Sequence, residues 1–339
     1  MDITVSKMCS TMFVNNGLIL SVSCRMGKRS VGIDILRILC SFVVVLFHVQ
    51  GKVEGDNYIS KIITPLIIIA MALFTFISGW FYAEKLIEND SIKVIVGKFN
   101  RTWLQYLIFV PLTIWGCGGR LTWNMFLDCN FWHLWYLPML FMCFVITYFI
   151  RIPLRNSFVA IGFLIFLILL QNIEKPPHPG LNNVRMWHFF FVLGYIYRNI
   201  ENRFIDKNIY APIVLILLYV IGWAIFPFYY RIPSIYATII TGIGCVGIFF
   251  LMKNFIPVKD KYSCIIHTIA KNSFGVYLIH FLIMVWMLSS TSYRLLNLHI
   301  LQNSISVTGF IVLVSIGVYI ISWLITQVMI KCKIGRIVS

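Results

Sequence analysis

Charge is scarce in this chain, and acid is scarcest. Only 12 of 339 residues are Asp or Glu, against 28 Lys or Arg, and charged residues make up 12% of the total. A soluble domain carries about twice that share. Metal-ligand spacing is absent as well. The nine cysteines are scattered and never form C-x-x-C, which argues against a zinc ribbon or a dithiol motif. No gap between apolar runs is long enough for a soluble domain, and no internal repeat or low-complexity segment stands out. A secretory signal is also wanting. Met12 to Ser23 is mildly apolar but interrupted by Asn15 and Asn16, without a strongly basic start or a clear cleavage site. The expected biological start is Met26, which sets Met-Gly-Lys-Arg directly before the first apolar run and leaves residues 1–30 as an extension.

What is present is apolar residue: 60% hydrophobic, with mean hydropathy +0.86. The net charge of +16 would suggest nucleic acid in a soluble protein. Here the basic residues sit in short gaps between apolar runs, which is the membrane pattern. The expected partner is therefore a lipid bilayer and no nucleic acid. Ten runs, at 32–50, 62–83, 100–116, 133–150, 156–171, 185–200, 209–228, 234–252, 273–291 and 303–330, have about the length a helix needs to cross hydrocarbon. The expected fold is an all-α membrane protein, a polytopic bundle of about ten transmembrane helices over residues 31–330, with a basic tail at 331–339. With the N-terminus cytoplasmic, twenty Lys and Arg fall on the cytoplasmic side and seven outside. That count predicts both termini inside. Cys117 and Cys129 share one predicted outer loop and could form a disulfide.

The first run, Gly32 to His48, contains Asp34, Arg37 and His48. Ionisable side chains facing lipid are costly, so they normally face a bundle interior or a water-filled cavity. Eleven residues from Arg37 to His48 make three helical turns plus about 20°, so both share one face, about 16 Å apart along the axis. Asp34 lies three residues before Arg37, within ion-pair reach, and Ser41 joins the same polar stripe. Arg37 is expected near the cytoplasmic face and His48 near the outer one. An arginine snorkelling beside a packed histidine is the bland alternative.

Other stretches are weaker alone. Phe76-Ile-Ser-Gly-Trp80 ends the second run, with Gly79 a natural helix break. The loop expected after it carries Lys85, Lys93, Lys98 and Arg101, a basic rim suited to phosphate or simply to the cytoplasmic side. His133 and Trp135 open the fourth run at the outer face. Arg185-Met-Trp-His188 opens the sixth, and His280 lies in the ninth. His178, His267 and His299 are expected in loops and are given no role.

Together these stretches resemble the acyltransferase-3 family of integral membrane acyltransferases. Asp34-Ile-Leu-Arg37 followed by His48 resembles its Arg-x10-His signature. Phe74-Thr-Phe-Ile-Ser-Gly-Trp80 resembles its Phe-x-x-x-Ser-Gly-aromatic element. Lys98-Phe-Asn-Arg101 is similar to its basic pair, with Lys98 in place of an arginine and so without the planar fork that suits phosphate. His133 to Leu137 and Phe274 to His280 resemble two later landmarks. The resemblance implies an O-acyltransferase of the bacterial plasma membrane, using acetyl-CoA as donor and an envelope glycan or lipid-linked sugar as acceptor, with no metal. It makes His48, Arg37 and Asp34 the catalytic candidates. Ser78, Lys98 and Arg101 join Arg37 on the donor, and His133, Trp135 and His280 become substrate-side candidates. The competing reading is a polytopic transporter of a small polar solute or acyl group, although paired repeats are not evident.

Overall fold

The computed structural model describes residues 8–9, 24–25, 30–52, 57–89, 91–120, 122–129, 131–173, 176, 178–200, 209–225, 234–256, 260–289 and 304–332. The start expected at Met26, His299 and the tail beyond residue 332 lie outside the described residues. Met8–Cys9 pairs antiparallel with Cys24–Arg25. The rest is helical: α1 (Val31–Lys52), α2 (Asn57–Glu88), α3 (Lys93–Arg101), α4 (Trp103–Gly116), α5 (Asn124–Leu127), α6 (Tyr136–Ile150), α7 (Ser157–Leu170), α8 (Pro179–Ile200), α9 (Tyr210–Ile225), α10 (Ser234–Phe255), α11 (Asp260–Lys271), α12 (Ser273–Ser289) and α13 (Ser304–Lys331). Short 3₁₀ turns, Trp132–Trp135 and Pro153–Arg155, flank α6.

Each of the ten apolar runs falls on a helix, but length separates them. Among the described residues, five segments are long and apolar enough to cross a membrane: Val31–Lys52, Thr64–Glu88, Asn124–Ile150, Ile235–Phe255 and Thr308–Lys331. A sixth appears if α11 and α12, bent by 55° at Asn272, count as one. Helices α4, α7 and α9 have 14, 14 and 16 residues, shorter than the roughly 17–25 of a typical span, so a crossing there would need flanking residues or a locally thinner bilayer. Helix α8 dilutes its apolar residues with Asn182, Asn183 and Arg185. The bundle hides some helices and shows others. Segment Thr64–Glu88 is mostly buried, whereas Thr308–Lys331 keeps most of its apolar surface outward, as expected of a helix solvated by lipid chains.

Three sequence expectations change here. Gly79 does not end a helix, because α2 runs nine residues further, to Glu88. Lys93, Lys98 and Arg101 belong to helix α3 and not to a loop. Cys117 and Cys129 are free thiols.

Gly79 has a different task. A Cβ on Gly79 would sit 2.0 Å from the backbone oxygen of Phe191 in α8, and one on Gly194 would sit 2.0 Å from that of Phe76. Each helix thus places the glycine of a Phe-x-x-Gly stretch against the phenylalanine carbonyl of the other. The two helices run in the same direction. An antiparallel pair in this register would hold Glu84 and Arg198 about 18 Å apart along the axis, yet their side chains form an ion pair at 3.7 Å. Small residues at a helix crossing allow this backbone approach in a membrane, where hydrophobic driving force between helices is missing. A glycine inside a helix costs about 1 kcal/mol relative to alanine, and the close contact offsets that.

Gly79→Ala should therefore destabilise the folded protein by about 1–3 kcal/mol through overpacking. Gly162→Ala in α7, where an added Cβ meets nothing within 4 Å, should be neutral or slightly stabilising. Thermal unfolding of both variants in the same detergent checks the contrast.

Candidate functional site

Two polar clusters occupy the bundle, joined by a pair of tyrosines. The first is built on α1. Asp34 is only 3% exposed, and a buried carboxylate must be paired. Its Oδ1 lies 3.6 Å from Arg37 Nη1 and its Oδ2 lies 3.0 Å from His267 Nδ1. The second contact corrects the sequence reading: His267 is in helix α11 and not in a loop. Arg37 also donates through Nη2 to Ser273 Oγ at 3.4 Å. The bend at Asn272 makes this possible. It puts His267 before the break and Ser273 after it, so one bent helix pair holds both members of the Asp34–Arg37 pair.

Arg37 lines a cavity of about 220 Å³. Helix α2 contributes Ser78, Phe81 and Lys85, α3 contributes Lys98 and Arg101, and α11 and α12 contribute Lys271 and Ser273. Among the described residues, five basic side chains and no carboxylate line it. The donor-side candidates Arg37, Ser78, Lys98 and Arg101 are thus brought together, and Lys85 and Lys271 join them. Helix α12 begins at Ser273 on the cavity wall, and the amide end of a helix favours anions. Trp80 faces elsewhere, with Arg198 and Lys253 over its ring at 5.2 and 5.0 Å.

Lys98 is the unusual cation. Its ammonium sits 4.3 Å over the Phe144 ring and 5.7 Å over that of Tyr82. Burial first, then the nearby charges of Lys85 and Arg101, push its pKa down to about 7. Electrostatics alone thus leaves Lys98 poised to take a proton when an anion arrives.

The second cluster unites three histidines that the sequence offered separately. Ring centroids of His48 and His280 are 5.2 Å apart, His133 and His280 5.1 Å, and His48 and His133 6.1 Å. His133 comes from the 3₁₀ turn before α6 and stacks on Phe281 at 4.7 Å. The Tyr277 hydroxyl donates to the His133 carbonyl, fixing that turn. His133 and His280 are fully buried, and His48 is half-buried. Trp135 stands beside this cluster and packs on Trp187 at 5.9 Å. Among the described residues, no group of three His, Cys, Asp or Glu is arranged to hold a metal ion.

Tyr136 and Tyr277 link the clusters. Both line the cationic cavity, their rings are 5.9 Å apart, and Tyr277 lies 6.0 Å from His280 and 6.2 Å from His133. The order along the bundle is cations, tyrosines, imidazoles. An anion held at one end can therefore present an attached group toward nitrogen bases at the other. One further signal for this is in the sequence: Tyr277 sits three residues before His280, on the same helix face. Nothing in the sequence pairs His267 with Asp34, 233 residues away.

The state of Lys98 yields a test. Affinity for a small polyanion such as pyrophosphate should fall as pH rises through about 7, where Lys98 loses its charge, and binding should take up protons. Calorimetry in two buffers of different ionisation enthalpy measures the uptake, and Lys98→Met should abolish it.

Against known proteins, no curated protein and no solved structure matches the chain. A family model described as an acyltransferase domain matches residues 30–327. That match takes in α1 to α12, most of α13 and every residue of both clusters. With its several apolar helices long enough to cross a membrane, the chain belongs to the acyltransferase-3 family of membrane acyltransferases.

Proposed function

We propose that this acyltransferase moves an acyl group, acetyl in the first instance, from cytoplasmic acyl-CoA to a hydroxyl of an envelope carbohydrate in the bacterial plasma membrane. The bundle would cross the bilayer ten times with both termini inside. The observation that carries this reading is the five-cation cavity set below the histidine cluster. A CoA thioester has the matching form, with phosphates at one end, a long thin arm, and the reacting carbonyl at the other. The cavity is smaller than the roughly 300–1,000 Å³ of pockets that enclose a drug-sized ligand. It would take phosphate and arm, with the nucleoside outside. From Arg37 to His48 the rise along α1 is about 16 Å, which the arm can span.

His48 is then the general base. A sugar hydroxyl is a weak nucleophile near neutral pH, and imidazole is the side chain best matched to removing its proton. The hydroxyl proton passes to a His48 ring nitrogen as the oxygen attacks the thioester carbon. The C–S bond breaks, the new C–O bond stays with the sugar, and the CoA thiolate takes the proton back from His48. Asp34 would orient Arg37 and partly neutralise it when no donor is bound. His133 and Trp135 would face the acceptor.

Two outcomes follow. Arg37→Ala should weaken acetyl-CoA binding at least about tenfold, as expected for loss of a charge-assisted phosphate contact, and Arg37→Lys should restore only part of it. Equal affinity in wild type and correctly inserted Arg37→Ala would refute the donor site. His48→Ala should keep acetyl-CoA binding and lose about 10²–10⁴-fold in acyl transfer, the usual contribution of a positioned base. Radiolabelled acetyl-CoA offered to reconstituted protein with a panel of envelope glycans measures this. Wild-type transfer by His48→Ala would place the chemistry elsewhere.

A further inference from the structure

His280 carries a protonation state that can be read from its bonds. Its Nδ1 lies 2.7 Å from the Tyr277 carbonyl oxygen and 3.2 Å from that of Val276. A carbonyl only accepts, so Nδ1 carries the hydrogen. A neutral ring then leaves Nε2 as a bare lone pair, and a charged ring would leave a second N–H there. In the structure Nε2 is buried with no hydrogen-bond partner. A buried, unpaired N–H on a cation is the costlier of the two, so the ring is neutral and Nε2 is an acceptor. An orphaned acceptor itself costs about 1–3 kcal/mol, and one placed in a reaction site calls for a donor that arrives in use.

The available donor is His48. Two imidazoles sharing an N–H···N bond of about 3 Å have ring centres a little over 5 Å apart. The observed separation is 5.2 Å, with the planes tilted by 39°. No bond joins them as they stand. His48 keeps part of its surface exposed, whereas His280 is fully enclosed and tied through Nδ1 to its own helix. His133 also brings unpartnered ring nitrogens, its ring centre 5.1 Å from that of His280, but it lies flat on Phe281 and is as enclosed as His280 itself.

We propose that His280 is a positioning residue for His48. Its Nε2 accepts the N–H of one His48 nitrogen, so that the other nitrogen keeps its lone pair toward the acceptor hydroxyl. The same contact steadies the imidazolium that forms when His48 takes the proton. This deepens the reading of His48 as base and rests on it. The third member of a serine-type triad fixes the tautomer of its histidine in the same way, there with a carboxylate. A neutral imidazole does so without burying a negative charge beside the acyl group.

The test uses full-length protein in lipid nanodiscs, with histidine labelled by ¹⁵N and protons as the only probe. Wild-type His48, assigned by its loss in His48→Ala, should show a single neutral tautomer. His280→Ala should give a mixture of tautomers. His280→Gln should restore the single form, because the glutamine amide oxygen reaches the place of Nε2 and accepts. In turnover with acetyl-CoA, followed by thiol release in the presence of the acceptor glycan that wild type acylates, His280→Ala should lower kcat about 10²-fold, the low end of what a positioned base contributes, at unchanged KM for acetyl-CoA, and Gln should recover most of it. Unchanged His48 tautomer and kcat in His280→Ala would overturn the proposal. So would a mixture in wild type, or equal deficits in Ala and Gln. Full activity in His48→Ala would instead overturn the base assignment, and the tautomer measurement would still judge His280 separately.

Discussion

A carboxylate taken out of water has to be answered by hydrogen-bond donors and a counter-charge, and much of the bundle is arranged around that demand at Asp34. Its two oxygens face Arg37 and His267, which come from α1 and α11, and Arg37 reaches on to Ser273 at the head of α12. Taking one partner from a buried ion pair usually costs about 3–5 kcal/mol, because the other charge is left uncompensated. The arrangement therefore fixes where α11 breaks, where α12 begins, and which way Arg37 looks. The cationic cavity is assembled from the consequences: α12 starts inside the bundle instead of at its edge, and Lys271 and Ser273 become wall residues.

From that level the site extends along two helices at once. Ser273 to His280 is seven residues, about 10 Å of rise, and Arg37 to His48 is eleven. Both helices pass the same imidazole cluster, and Tyr136 and Tyr277 fill the space between. One hydroxyl of this pair, on Tyr277, holds the turn that delivers His133. The cationic cavity and the imidazole cluster thus share one helix, α12, and a change in its position would alter both.

Much of this was legible in the sequence. The polar stripe of α1 was readable because helical period and hydrocarbon cost both act locally, and Asp34 and Arg37 do pair as their spacing requires. The ten apolar runs were readable for the same reason. The association of His48, His133 and His280 was not, since three separate stretches meet only through packing. Gly79 shows the opposite error. A glycine near a run of charges has the local look of a helix end, and only the carbonyl of Phe191, 112 residues on, explains why the helix continues through it. His267 was unreadable because its one informative neighbour lies at the other end of the chain. The short helices α4 and α7 mark where an apolar run overstates the helix built from it.

The contact of Gly79 with Phe191 and of Gly194 with Phe76 is backbone against backbone. Side chains can rotate out of the way, but packed main chain cannot. Helix α2 is therefore the stiff wall of the cationic cavity, braced from behind by α8. The opposite side is made of Lys98 and Arg101 on α3 and Lys271 at the elbow of α11, long arms on a short helix and a hinge. Under the proposed function, admission of a bulky anion would fall to the side of long side chains, and the rigid side would serve as the gauge against which it is measured.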